Sequence, residues 1–269
     1  MEYDLYVVAV PIGNLKDITI RAIEVLKEVD YILTEDTRES FKLLKEYGID
    51  SKLISYEKFS EEKKKEDIRE LIDKGFKIAL ITDRGSPVIS DPGYILINYL
   101  LENSYKVTSI PGPSALVNAV ILSGLKSDRF EFLGFLPREN GKRESLIKKT
   151  INYDGLSIIY ESPKRLVNTL EEIKKICPGR NLAVVREMTK MYEEIFRGQV
   201  EEAIEKFKNF SKGEIVIVLD SYFLEKKVDV EKELRELIEL GISKKDAVKK
   251  VSEDFNLNKN DVYKISLSL

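Results

Sequence analysis

Histidine and tryptophan are absent from the 269 residues, and cysteine occurs once, at Cys177. Without histidine there is no imidazole general base, no His-based triad and no His-ligated zinc site. A single cysteine excludes an internal disulfide and a thiolate cluster, which is the usage of an intracellular chain, and Cys177 before Pro178 reads as a small buried hydrophobe. No apolar run approaches the ~18 residues of a membrane helix, and the opening MEYDLYVV lacks the basic segment of a signal peptide. The expectation is a cytoplasmic protein with no membrane and no metal, in which acid and base chemistry falls to carboxylates, Lys, Tyr or water.

What is present is charge in balance: 44 Lys and Arg against 47 Asp and Glu, a net of −3. That balance argues against a broad polybasic nucleic-acid surface while leaving room for a local basic patch. With 43% hydrophobic residues, the chain can bury one large or two medium cores. Short apolar runs (Leu5–Ala9, Tyr31–Thr34, Lys77–Thr82, Lys106–Ile110) alternate with helical patterns at Thr19–Val29, Glu61–Lys74 and Ser114–Leu122. A second set follows, with strands at Phe130–Phe135, Leu156–Tyr160, Leu182–Arg186 and Glu214–Leu219, and helices at Ser145–Lys149, Arg165–Ile176 and Glu201–Phe207. Three Lys/Glu-rich helical patterns close the chain, at Glu231–Leu240, Lys244–Phe255 and Asn260–Leu267. The pattern predicts two α/β domains (1–124 and 125–224) with mostly parallel or mixed sheets forming a cleft, and a small helix-turn-helix-like tail at 225–269.

Glycine, proline and polar residues gather where strands give way to helices. These loops are Pro11-Ile12-Gly13-Asn14, Glu35-Asp36-Thr37-Arg38, Asp83-Arg84-Gly85-Ser86-Pro87 running on to Ser90-Asp91-Pro92-Gly93, and Pro111-Gly112-Pro113-Ser114-Ala115. In a parallel sheet all of them lie at the carboxyl ends of the strands, where ligands bind. Each string alone is an ordinary turn; four on one crevice point to a site, and rigid Pro-rich loops suit a flat polar ligand. Neither GxGxxG nor GxxxxGK[ST] occurs, which removes specific support for a dinucleotide fold or a P-loop. In the second half Tyr160–Arg165 and Arg186–Lys190 put charge at the ends of apolar strands, where it must either pair internally or bind something. The segment 137–149 (PRENGKRESLIKK) reads as a mobile basic loop able to touch phosphate.

Taken together, LYVVAVPIGNLKDITIRAIEVLKEVDYILTEDTR (5–38), ISDPGY (89–94), IPGPSA (110–115), GFLPR (134–138), YESP (160–163), REMTK (186–190), EEIFRG (193–198) and KGEIVIVL (212–219) resemble the tetrapyrrole methylase-like, class III methyltransferases, and within them the branch acting on small-subunit ribosomal RNA. The strings run through nearly the whole chain in the family's order. The resemblance implies S-adenosyl-L-methionine held between two α/β domains, the 2′-hydroxyl of a cytidine in 16S rRNA as acceptor, and a homodimer. It departs from the family at Glu39, Glu57 and Lys164, where relatives often carry histidine, and at Arg84, where a small residue is usual.

Methyl transfer to a hydroxyl needs positioning and a proton acceptor. The candidates are Glu35, Asp36, Glu161, Glu187 and Lys190, with Glu35 or Asp36 favoured and Arg38 as orienter. With the resemblance, the cofactor positions are Pro11, Gly13, Asp83, Gly85, Ser86, Pro87, Ser90, Ser114, Ala115, Tyr160, Glu161, Glu187 and Gly213. Asn14, Arg38, Arg84, Arg138, Lys142 and Arg143 are candidates for RNA phosphate. Two other readings are a tetrapyrrole C-methyltransferase, disfavoured by the Val10–Asn14 opening loop, and a nucleic-acid-binding protein using Asn260–Leu267, disfavoured by that tail's even charge.

Overall fold

The computed structural model describes residues 3–209, 212–223, 230–255 and 258–268. Residues 1–222 make one compact unit and 223–269 a second. The expected boundary at 224/225 lies outside the described residues.

In the first half, strands β1 (Leu5–Val8), β2 (Tyr31–Thr34), β3 (Lys52–Ser55), β4 (Ile78–Leu80) and β5 (Val107–Ile110) alternate with helices α1 (Ile20–Glu28), α2 (Thr37–Glu46), α3 (Glu61–Asp73) and α4 (Tyr94–Glu102). The sheet is parallel throughout, in the order β3-β2-β4-β1-β5. Its inner strands β1, β2 and β4 are largely apolar on both faces because helices cover both. Val8, Ile32 and Ala79 pack with Ala22, Leu26, Leu43 and Leu44 on one side, and Val7, Leu33 and Leu80 pack with Ile68, Ile72, Leu96 and Leu100 on the other.

Helix α5 (Ala115–Ser123) leads into the second half: β6 (Phe130–Phe135), α6 (Asn140–Lys149), β7 (Leu156–Glu161), α7 (Leu166–Ile176), β8 (Asn181–Arg186), β9 (Glu194–Gln199), α8 (Val200–Phe207) and β10 (Ile215–Leu219). This sheet is mixed, in the order β6-β7-β10-β8-β9, with β6 and β7 parallel and the remaining pairs antiparallel. Helices α6, α7 and α8 cover one face. The other face takes Ala119 and Val120 of α5 together with Ile12 from the loop after β1. Chain from the parallel half therefore packs on the mixed sheet, which fixes the two sheets against each other within one unit.

The register decides where the ends fall. Ile215 pairs with both Glu161 and Arg186, so the end of β7, the end of β8 and the start of β10 share one edge of the mixed sheet.

Two strands and two α-helices were not foreseen. Strands β3 and β9 are sheet-edge strands, half exposed and part polar, so neither carries a long apolar run. In α4 the sequence YILINYLLE is apolar almost throughout and hides its helical period, whereas α2 (TRESFKLLKE) has too few apolar positions to mark a stripe. The basic segment expected as a mobile loop is largely helix α6, with Gly141 inside it.

In the second unit, α9 (Val230–Glu239), α10 (Lys244–Asp254) and α11 (Lys259–Ser266) surround Leu234, Ala247, Val248, Val251 and Val262. Ser243 and Asn258 cap α10 and α11 by accepting from the backbone N–H groups of Asp246 and Asn260. Among the described residues no helix is long and apolar enough to cross a membrane.

Candidate active site

The loop after β4 is stitched to the end of β1 by two backbone hydrogen bonds, Val10 N–H to Gly85 O (2.8 Å) and Gly85 N–H to Val10 O (3.1 Å). Beyond Gly85 the backbone enters the left-handed region at Val88 (φ 75°), Ser90 (φ 74°) and Gly93 (φ 129°). For a β-branched valine that conformation costs energy and must be imposed by its surroundings. One restraint is the buried Glu61 carboxylate, which accepts from the N–H groups of Gly93 (2.9 Å) and Ile95 (3.3 Å) at the start of α4. The strained turn presents Ser90 and Asp91.

Asp91 is half-buried; burial and the carboxylates of Glu35 and Asp83 push its pKa up to about 6, against a hydrogen bond to Thr82 and the Lys58 ammonium. Glu35, at the end of β2, is also raised, by burial first and then by Asp83 and Glu57. Its neighbour Asp36 behaves in the opposite way. The Asp36 carboxylate caps α2, accepting from the Arg38 backbone N–H (2.9 Å), and pairs with the Arg38 guanidinium at 3.0 Å. The Arg38 side chain and backbone bonds hold its pKa at about 2. Its own N–H donates to Asp83 Oδ1 at 3.1 Å.

On the mixed-sheet side the charges are matched. Glu161 is buried at the end of β7, accepting from Thr169 Oγ1 (2.6 Å) and Ser162 N–H (2.8 Å) with Arg165 at 3.4 Å. Arg186 lies 3.1 Å from Glu194. Lys190 donates to Glu187 and Glu214, each at 2.9 Å. The turn that follows β8 is itself strained, with Glu187 at φ 50° and Thr189 at φ 65°. It presses on the loop after β1: Asn14 N–H donates to Thr189 Oγ1 at 3.0 Å, and a Cβ at Gly13 would fall 2.7 Å from Lys190 Cγ and 2.8 Å from Met188 O. Only glycine fits there.

Between these edges lies a cavity of about 410 Å³, within the usual size of a small-ligand site. Of the residues singled out from sequence, Arg84, Gly85, Ser86, Ser90, Ser114, Ala115, Tyr160, Glu161 and Gly213 line it. Pro11, Gly13, Asp83, Pro87 and Glu187 are not among the lining residues, nor are Glu35, Asp36, Arg38 and Lys190. Asn14 caps the short 3-10 turn Leu15–Asp17 through its side chain. Arg138 and Lys142 are exposed, Lys142 in an ion pair with Glu139, whereas Arg143 is mostly covered and paired with Glu172 of α7. Sequence reasoning missed Asp91, Glu214 and the apolar wall of Ile12, Ile89, Leu116, Phe135 and Met188. Asp91 sat inside a string already noted; the signal was there, but of its acidic neighbours Asp83 stands earlier in the same loop while Glu35 is brought in from the end of β2.

A cavity built jointly by a parallel and a mixed five-stranded sheet, on their loop edges, is the architecture of a known group of enzymes. The chain belongs to the tetrapyrrole (corrin/porphyrin) methylase family, whose model matches residues 4–204. The solved structure of the methyltransferase CobJ shares the fold, with a TM-score of 0.63 at 16% identity over 82% of this chain and 95% of that one. Within the family, the chain is 39% identical to the Ribosomal RNA small subunit methyltransferase I of Halalkalibacterium halodurans, over 97% of this chain and 93% of the relative. It is 48% identical to the protein of the same name from a Hydrogenobaculum species, over 80% of this chain and 94% of that one.

Proposed function

We propose that this chain transfers the methyl group of S-adenosyl-L-methionine to the 2′-hydroxyl of a cytidine ribose in the 16S rRNA of the small ribosomal subunit. The observation that carries this reading is the near-full-length likeness to proteins named for methylation of that RNA. The cavity suits the donor chemically. Its apolar wall accepts a flat adenosine, and Asp91 is a lining carboxylate whose pKa is raised by burial first and then by the acids Glu35 and Asp83, so a ligand cation beside it would favour its charged form.

Bound there, the cofactor supplies a methyl group activated by a positively charged sulfur. The protein's part is to position, to match charge and to take a proton. The cross-bonded Val10–Gly85 and Asn14–Thr189 contacts fix the loops on which the donor rests, and fixed geometry can supply roughly 7–11 kcal/mol of barrier lowering. Asp91 gives its ionised carboxylate to the donor's cation. Glu35 accepts the hydroxyl proton: its pKa is raised toward neutrality, which favours a base, while Asp36 is held near 2 by Arg38. Lys190, set between two carboxylates, serves as a fixed positive charge. Arg38, Arg138 and Lys142 are exposed cations available to RNA phosphate. A homodimer and a cytoplasmic address belong to the same reading.

The test supplies tritiated S-adenosyl-L-methionine and small subunits from a strain lacking this methylation. Label mapping to the 2′-O-methyl of one cytidine is the expected result. Label in no RNA overturns the reading.

A further inference from the structure

We infer that Arg84 and Glu214 receive the amino-acid end of the methyl donor, Arg84 its carboxylate and Glu214 its ammonium. The inference rests on the donor proposed above and deepens it.

Arg84 comes from the loop after β4, and Glu214 immediately precedes β10, so their ion pair spans the cavity from one sheet to the other. Both line the cavity, and among the described residues that do so Arg84 is the one cation. A carboxylate entering the cavity therefore has one positive side chain to meet. The donor carries three charges: a sulfonium, an ammonium and a carboxylate. Glu161 is already buried among Thr169, Ser162 and Arg165, which leaves Asp91, Glu214 and Arg84 as the charged lining. Two anions and one cation oppose two cations and one anion.

The pair is also easy to open. Its side chains are 51% and 48% exposed, and an ion pair that open to water holds weakly. When Arg84 turns to a ligand, Glu214 does not drift, because Lys190 still lies 2.9 Å from it and is itself anchored to Glu187. The Glu214 N–H adds a third restraint by donating to Glu187 Oε1 at 3.0 Å.

Calorimetric titration of the full chain with three ligands tests this. S-adenosyl-L-methionine has every group, its decarboxylated form lacks only the carboxylate, and 5′-methylthioadenosine lacks the amino-acid end altogether. The wild type should prefer S-adenosyl-L-methionine to the decarboxylated form by roughly tenfold or more, the scale of a charge-assisted hydrogen bond. Arg84→Ala should abolish that preference. Glu214→Gln should weaken both amino-bearing ligands by roughly tenfold on the same scale. Neither variant should alter methylthioadenosine binding, which reports that the cavity remains intact. The inference is overturned if Arg84→Ala keeps the preference, or weakens all three ligands alike as a purely structural bridge would. A wild type that binds none of the three sinks the methyl-donor reading itself, and the inference with it.

Discussion

On the parallel-sheet side of the cavity, Asp91 and Glu35 keep carboxylates with raised pKa values, each beside another acid. On the mixed-sheet side, Glu161, Arg186, Glu187 and Lys190 sit at equivalent strand ends, each tied to partners of its own sheet. The residue types are alike; the difference is whether charge has been matched within the fold. A matched pair whose remaining lone pairs are hydrogen-bonded can offset its desolvation, and losing one partner is costly, so it holds a loop in place. An unmatched carboxylate is left at a free-energy cost that a ligand can relieve, which is why such groups mark sites. Apart from Glu214 just before β10, the mixed sheet thus frames the cavity, and the parallel sheet carries the proposed proton acceptor and the carboxylate proposed for the donor's cation.

The sharpest way to break that division is Glu35→Gln. Loss of the proton acceptor should cut turnover by ~10²–10⁴-fold at saturating donor and leave donor affinity nearly unchanged, as read by single-turnover kinetics beside calorimetry. Turnover at the wild-type rate would move the proton acceptor elsewhere.

Asp91→Asn comes next, with a loss of roughly 10–100-fold in donor affinity. The same carboxylate predicts a pH dependence of binding. Below about 6 Asp91 is protonated, so affinity should fall as pH drops through that value, and the Asn variant should lose this response. In the free protein the sign for stability is the reverse. The folded state holds this proton more tightly than the unfolded chain, whose Asp titrates near 3.8, so Asp91 favours the fold at pH below about 4 and loses that contribution as pH rises to about 6. Saturating donor should flatten this slope in thermal melts.

Much of the frame was legible because it is written in local pattern. Strand β6 lies at the residues read from its apolar run, and residues 84–86 and 114–115 of the strand-end loops line the cavity. Asp91 was not legible, although its string was. What distinguishes it from Ser90 is the approach of Glu35 from the end of β2 and of Asp83 from earlier in the same loop, and the turn at Val88 and Ser90 that Glu61 holds from α3. Arg143 shows the same point in reverse: a basic residue in a basic segment, it is matched by Glu172 from the next helix. Sequence shows which side chains can carry charge, whereas burial and partners across the fold decide which of them remain unmatched.

On the mixed-sheet side the comparison sharpens through stability. Glu161→Gln keeps shape but loses the ionic partner of Arg165 and weakens the bonds from Thr169 and Ser162, in a side chain with no exposure. The expected cost is about 1–3 kcal/mol of stability, seen as a lower denaturation midpoint, with turnover per folded molecule changed less than by Glu35→Gln. A collapse of turnover without loss of stability would place chemistry on the sheet assigned here to support.

The smallest effect is expected at Asp36, one residue from Glu35. Asparagine caps a helix about as well as aspartate, so Asp36→Asn keeps the bond from the Arg38 N–H and gives up only the pairing with a guanidinium that is 87% exposed. Melting should shift little, and turnover should stay near the wild-type rate while Glu35→Gln does not. The two carboxylates share a strand end and differ in that Asp36 pairs with Arg38 at 3.0 Å, whereas the acids beside Glu35 outweigh its one cationic neighbour, Lys58. If Asp36→Asn instead slows methylation as far as Glu35→Gln, matching within the fold does not separate support from chemistry, and the proton's path must include both.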